Sequence, residues 1–200
     1  GVSLQEQSIK KAIFFGAKVL SDIDLFACAM DKPVVAITGS NGKSTVTTML
    51  GAMGNEAGVK TAIGGNLGVP ALNLLDETVE LYVLELSSFQ LERTSELNAK
   101  VATVLNVTED HLDRHSGIKG YAQEKQRVFA GNGVMLLNED DCIVKAMADE
   151  SRQIESFSIQ SENGFHLAEY QAKSWLMNED QPLMPQADLH IEGLHNVANA

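Results

Sequence analysis

The sequence predicts an α/β domain: a mostly parallel sheet with helices on both faces. Three observations carry this. From Pro33 onward, short oily runs alternate with helical patterns, as in parallel sheets covered on both sides. The run Val34-Val35-Ala36-Ile37 passes directly into Thr38-Gly39-Ser40-Asn41-Gly42-Lys43-Ser44-Thr45. Polar residues cluster where oily runs end, and ligands collect at the carboxyl ends of strands in such sheets.

Before this alternation lies a small α-β-α piece. Ile9, Ala12 and Ile13 give residues 5–15 one apolar face, and Gly16 ends that helix. Ala17 to Leu20 suits a short strand, and Ser21 or Asp22 can cap a helix over 22–30. Asp31-Lys32-Pro33 reads as a linker, so residues 1–30 are expected to be the tail of a preceding domain and 31–200 a central domain.

A strand over 34–38 leads to a helix over 43–57, whose face is Val46, Met49, Leu50 and Met53. The loop Gly64-Gly65-Asn66-Leu67-Gly68-Val69-Pro70 leads to a short helix. Strands over 80–86 and 101–106 follow, then a helix over 118–131, a strand over 133–138, a helix over 139–149 and a strand over 154–159. Residues 163–192, with scattered polar residues, Trp175 and two prolines, read as an antiparallel appendage. The last residues form a glycine turn entering a helix.

Composition narrows the chemistry. Two hundred residues with 44% hydrophobic content suit one core of ordinary size. A net charge of −12 argues against a nucleic-acid groove and against anionic membrane surfaces. No apolar stretch reaches the ~18 residues of a membrane span. Cys28 and Cys142 lie far apart without metal-ligand spacing and read as reduced core thiols, which fits a cytoplasmic protein. The chain has no initiator Met and stops at a helix start, so a piece of a longer chain is expected.

The loop at 38–45 is the strongest single feature. Gly39 and Gly42 can take positive φ and let the backbone approach a phosphate. Amides at the following helix start bind anions. Lys43 can meet β- and γ-phosphates, and the Ser44 hydroxyl can ligate Mg²⁺. The usual spacing requires a further glycine where Ile37 stands. The alternative is an ordinary glycine turn capped by Ser44 or Thr45.

Four further constellations stand at strand ends or helix faces. Glu85 sits within Leu84-Glu85-Leu86, just before Ser87-Ser88-Phe89-Gln90. A carboxylate there suits Mg²⁺, which takes one or two carboxylates plus phosphate oxygens, although a salt-bridged edge-strand glutamate would look the same. The segment Asn106-Val107-Thr108-Glu109-Asp110-His111-Leu112-Asp113-Arg114-His115 follows another strand. His111 there can ligate a metal, place a substrate carboxylate or cap a helix. Tyr121, Lys125, Val128 and Phe129 share one face, so Lys125 either snorkels to solvent or points into a site. Asn196 and Asn199 also share a face, to cap, to fill a polar core or to meet a nucleotide base.

In their order, these blocks resemble the Mur ligase family of peptidoglycan synthesis. Thr38 to Thr45 looks like that family's variant loop, in which the glycine missing at Ile37 is normally absent. Gly65-Asn66-Leu67-Gly68, Glu85, Asp110-His111, Lys125 and His195-Asn196-Val197-Ala198-Asn199 match its other blocks. Glu85-Leu86-Ser87-Ser88-Phe89-Gln90-Leu91-Glu92 and the glycine loop at 64–70 look most like the member that adds D-glutamate.

The resemblance implies an ATP-dependent amide ligase for cell-wall biogenesis, acting on UDP-N-acetylmuramoyl-L-alanine and D-glutamate through an acyl phosphate. It implies that Gly39, Ser40, Asn41, Gly42, Lys43, Ser44, Thr45, Asn196 and Asn199 bind ATP. Ser44 and Glu85 would hold a first Mg²⁺, with His111 and Lys125 serving a second and Lys125 carrying a carbamate. Lys43, His111 and Lys125 would be catalytic, and Asn66, Ser87 and His111 would contact the muramoyl substrate. Family members have three domains, so these 200 residues alone are expected to be a monomer that binds ATP without ligating. A sibling Mur ligase, a folylpolyglutamate synthetase, a non-catalytic nucleotide-binding module and a P-loop kinase are the competing readings.

Overall fold

The computed structural model describes residues 6–109 and 117–200. His111 and the rest of 110–116 lie outside the described residues. The described residues form one nine-stranded sheet in the order β2-β3-β1-β4-β5-β6-β7-β8-β9. The strands are β1 (Val34–Thr38), β2 (Thr61–Gly65), β3 (Leu81–Glu85), β4 (Val101–Val104), β5 (Val134–Asn138), β6 (Ile154–Ser158), β7 (Phe165–Tyr170), β8 (Lys173–Asn178) and β9 (Gln181–Pro185). The pairings from β2 across to β7 are parallel, and β7, β8 and β9 run antiparallel. The predicted antiparallel appendage is therefore an extension of the same sheet. Pro182 and Pro185 lie in its outer strand β9, where a missing N–H costs no ladder bond if it faces outward.

β1 has β3 on one side and β4 on the other. The chain leaves β1 in one direction and returns in the other, which opens a crevice at the carboxyl end of β1. Alternate residues of the buried strands feed two cores. Val34, Ala36, Tyr82, Leu84, Ala102 and Val104 join the larger cluster, with Tyr121, Val128 and Phe129 packed over them. Ile37, Val83 and Leu105 form the smaller one, covered by Val46 and Leu50.

The helices are α1 (Gln7–Phe14), α2 (Asp22–Ala29), α3 (Lys43–Glu56), α4 (Ser88–Leu91), α5 (Gly117–Gln126), α6 (Cys142–Lys145) and α7 (Leu194–Asn199). α2 is held into the larger core by Ile23 and Phe26, and the Phe26 ring meets Tyr82 edge-on at 5.1 Å. Ser21 is its cap: the hydroxyl accepts from the Asp24 N–H while Asp24 reaches back, a complete capping box.

Several expectations are corrected. Residues 17–20 form no strand, because no neighbour is offered to them and Ser21 leads straight into α2. β2 and α4 were not foreseen as elements. Met53 is 61% exposed. α3 instead approaches β2 through glycines: a Cβ on Gly51 would stand 2.4 Å from Ile63 Cγ2, and one on Gly54 would stand 2.3 Å from Thr61 Oγ1. The helix foreseen over 118–131 is α only to Gln126 and continues as a 3₁₀ turn over Arg127–Phe129. The helix foreseen over 139–149 shrinks to α6, since Asp149 bonds the N–H and hydroxyl of Ser151 in a competing turn. Both cysteines are exposed rather than in the core: Cys28 faces away from Ile23 and Phe26, and Cys142 opens α6.

Candidate functional site

Among the described residues, those singled out from sequence gather around the carboxyl ends of β1, β3 and β4. Ile37 is still part of β1, 1% exposed and in register with Glu85. Its place inside a buried strand explains why a glycine is not used there. The chain turns through Gly39, with φ 158°, and Gly42, with φ 84°. Gly42 is the residue before α3, and a Cβ there would stand 2.7 Å from Asn199 Oδ1. Left-handed backbone and close approach together require glycine.

The start of α3 presents Ser44 to Glu85. The Ser44 hydroxyl donates to Glu85 Oε2 at 2.7 Å, and Asn66 Nδ2 donates to Oε1 at 2.8 Å. Glu85 is 2% exposed, so the edge-strand reading does not hold: β3 is flanked by β1 and β2. Asn66 is delivered by Gly65, whose φ is 97° and whose Cβ would collide with the Glu85 carbonyl at 2.4 Å. The Asn66 N–H donates to that same carbonyl at 2.8 Å.

This trio fits a small, hard cation. Adjacent oxygens around Mg²⁺ lie roughly 3 Å apart, given its short bonds, and the two oxygens of Ser44 and Glu85 already stand at 2.7 Å. No group of three His, Cys, Asp or Glu suited to a metal occurs among the described residues. A cation here would therefore complete its shell with ligand oxygens and water, the usual Mg²⁺ arrangement beside phosphates.

Two lysines meet the loop at one carbonyl, that of Gly39. Lys43 Nζ donates to the carbonyls of Gly39 and Ser40 at 2.9 and 3.0 Å. Lys125 does not snorkel: it is 1% exposed, donates to the Gly39 carbonyl at 2.7 Å and sits 4.3 Å from the Tyr121 ring centroid. A buried ammonium under a phosphate loop adds positive potential where anions would bind.

On the other flank a cleft of about 350 Å³ is lined by Asn41, Gly42, Thr45, Asn106, Asn196 and Asn199, with Phe157, Asn138 and His195 around it. Asn199 Nδ2 donates to Asn196 Oδ1 at 3.3 Å, and Asn196 Nδ2 donates to the Glu192 carbonyl at 2.7 Å. The two asparagines thus form part of a polar wall beside the loop. Ser87 caps α4, accepting from the Gln90 N–H at 3.3 Å while Gln90 Oε1 accepts from the Ser87 N–H at 3.0 Å. His111 lies outside the described residues and is not placed. Asn138 and Phe157 at the cleft were not singled out from sequence, and His195 was named only as part of the 195–199 block. Asn138 ends an oily strand, the same signal that exposed Glu85, but Phe157 looks like any core aromatic.

A parallel α/β domain with a glycine loop, a buried carboxylate and lysines at its switch point is a nucleotide-type ligand domain by class. The chain belongs to the Mur ligase family: the Mur ligase middle domain matches residues 37–200. Among similar proteins is the UDP-N-acetylmuramoylalanine--D-glutamate ligase of Methylococcus capsulatus, 50% identical over 202 residues covering 100% of this chain and 44% of that protein. The protein of the same name from Vibrio cholerae is 47% identical over 199 residues, covering 100% of this chain and 45% of its own length. The chain thus spans less than half the length of these relatives. Among solved structures, MurF from Acinetobacter baumannii superimposes with a TM-score of 0.70 at 26% identity, covering 89% of this chain and 43% of that one. FolC of E. coli, in complex with DHPP and ADP, gives a TM-score of 0.65 at 16% identity, over 92% and 56% of the two chains, a likeness of fold alone.

Proposed function

We propose that the chain is the ATP- and Mg²⁺-binding part of a cytoplasmic, monomeric ligase that joins D-glutamate to UDP-N-acetylmuramoyl-L-alanine. The observation that carries it is the Ser44–Glu85–Asn66 trio at the mouth of the loop, in a chain aligned end to end with relatives of that name. Residues 1–30 are the tail of a preceding domain in this reading, although α2 packs on the core of the sheet.

Lys43 and the amides of residues 42–45 hold the β- and γ-phosphates, while the Ser40 and Asn41 amides are committed to Asn106. Lys43 bonds the Gly39 and Ser40 carbonyls, which holds its ammonium beside the loop. Ser44 and Glu85 hold a first Mg²⁺, which supplies charge neutralisation between two anions that would otherwise repel. Lys125, once its amine has taken up CO2 to become a carbamate and given up its positive charge, and His111 serve a second. Asn196 and Asn199 face the base; Asn66, Ser87 and His111 face the muramoyl substrate.

In the reaction, a carboxylate oxygen of the alanyl group attacks the γ-phosphorus and ADP leaves. The amine of D-glutamate then attacks the acyl carbon, loses a proton, and phosphate departs. Positioning and charge neutralisation are the main tasks of a protein in such a transfer. The loop, Lys43 and Glu85 are placed for both.

In the protein at the full length of its relatives, D-glutamate is expected to trigger ADP release, and diaminopimelate or L-glutamate to give none. Release with diaminopimelate instead would move the assignment to a sibling ligase. Lys43→Ala is expected to weaken Mg-ATP binding by about 1.5–3 kcal/mol, the range for hydrogen bonds to charged groups. Fluorescence titration of the 200-residue chain with a labelled ATP checks this, and equal affinity in the variant would remove Lys43 from the phosphate site.

A further inference from the structure

The loop from Gly39 to Gly42 is short, and its turn is supported from outside. The brace is the segment after β4. Asn106 Oδ1 accepts from the Asn41 N–H at 2.8 Å, and its Nδ2 donates to the Asn41 carbonyl at 3.1 Å. One carboxamide thus satisfies both main-chain groups of one loop residue, as a neighbouring strand would. Beside it, the Ser40 N–H donates to the Asn106 carbonyl at 3.0 Å, and Ser40 Oγ accepts from the Thr108 N–H at 3.0 Å.

The brace is itself anchored to the next strand. Asn138 Nδ2 donates to the Leu105 carbonyl at 2.8 Å. Asp141 Oδ2 accepts from the Val107 N–H at 2.7 Å, while its Oδ1 caps α6 at Ile143 and Val144. Residues 105–108 are therefore pinned on one side by β5 and α6, and on the other they grip the loop. Asn106 is the only side chain of that segment with both its donor and its acceptor spent on the loop backbone, among the described residues.

We propose that Asn106 is a positioning residue that fixes the shape of the phosphate loop through Asn41, so that the loop amides converge before a polyphosphate arrives. The proposal rests on the reading of the loop as an ATP site. Preorganised amides need no reordering on binding, and that is where the affinity gain lies. Asn106 also borders the cleft, so a direct contact with the nucleoside is the competing role, and the two predict different ligand dependence. A positioning residue acts on the phosphates whatever they carry; a base or sugar contact acts only when the nucleoside is present.

The test is calorimetric titration of the 200-residue chain with Mg-ATP and, separately, with magnesium tripolyphosphate, which has no nucleoside. Asn106→Ala is expected to weaken both by the same factor, about tenfold for two neutral hydrogen bonds. Asn106→Ser is too short to reach both Asn41 groups and is expected to give the same loss, which serves if the alanine variant does not fold. Asn55→Ala is the control. Asn55 likewise bridges backbone, donating to the Gly51 carbonyl at 2.9 Å and accepting from the Thr61 N–H at 3.1 Å, but at the far end of α3. It is expected to lower Tm and leave both affinities within about twofold. Loss of ATP binding alone would overturn the proposal in favour of a nucleoside contact. Unchanged binding of both ligands, or an equal loss in Asn55→Ala, would also overturn it while leaving the ATP reading intact. If the unaltered chain bound neither ligand, the ATP reading itself would fall, and the proposal with it.

Discussion

Asp24 and Glu85 are both buried carboxylates, at 0% and 2% exposure, yet they are satisfied in opposite ways. Asp24 accepts from the main-chain N–H groups of Ser21, Ser95 and Glu96 at 3.0, 2.7 and 3.0 Å, and from the Ser21 hydroxyl at 3.0 Å. It stitches α2 to a loop some seventy residues away in sequence. Glu85 accepts only from the side chains of Ser44 and Asn66 among the bonds described. Backbone donors cannot leave without local unfolding, whereas a hydroxyl and a carboxamide can rotate aside. Asp24 is therefore built to hold the fold. In the proposed reading, Glu85 exchanges such partners for a cation.

The largest expected effect falls on Asp24. Asp24→Ala removes the shared acceptor of the Ser95 and Glu96 amides and of the Ser21 cap, and is expected to cost about 3 kcal/mol of stability, measured by urea unfolding. Mg-ATP affinity should stay within about twofold. A large drop in affinity with little loss of stability would erase the distinction between the two carboxylates.

A smaller effect appears in the acid range. Burial alone would raise the Asp24 pKa, but the hydrogen bonds from Ser21, Ser95 and Glu96 outweigh it and hold the carboxyl below the ordinary value of 3.8. A depressed folded-state pKa gives stability that is fully present above the unfolded value and is lost as pH falls through the folded one. Thermal unfolding from about pH 5 to about pH 2 should therefore show a shallower acid loss in Asp24→Asn than in the unaltered chain. Parallel curves would show that Asp24 is not the coupled group.

The smallest effect is expected at Glu85. Glu85→Gln keeps an acceptor for one neighbour, and the Ser44 hydroxyl can turn to accept from the new amide. Without Mg²⁺, stability should change by less than about 1 kcal/mol, and a gain is allowed because a buried charge is removed. A loss as large as that of Asp24→Ala would make Glu85 a structural residue too.

The contrast also separates what the sequence could and could not reveal. β1 and the loop were legible because an oily run, two glycines and Lys-Ser are local signals. Glu85 was legible because a carboxylate interrupts an oily strand. Asp24 was invisible as a stitch: Ser21-Asp22-Ile23-Asp24 announces a cap, and nothing near it names Ser95 or Glu96. The brace at Asn106 was missed for the same reason, since its partner lies sixty-five residues upstream. α3 was misread at Met53 because a helical apolar stripe suggested burial, while Gly51 and Gly54 gave the closer approach. Residues 139–149 look helical by pattern, yet Asp140 is drawn to the Ser158 hydroxyl and the Ile159 N–H, and Asp149 to Ser151. Except for the local Asp149–Ser151 turn, partners distant in sequence decided these, and periodicity carries no record of them.

The most direct test of the Ser44–Glu85–Asn66 trio as a cation seat is ATP affinity with and without Mg²⁺, in the unaltered chain and in Glu85→Gln. The unaltered chain should bind ATP at least about tenfold more tightly with Mg²⁺ than with a chelator, and Glu85→Gln should lose most of that difference. An identical Mg²⁺ dependence in both proteins would contradict the assignment of Glu85.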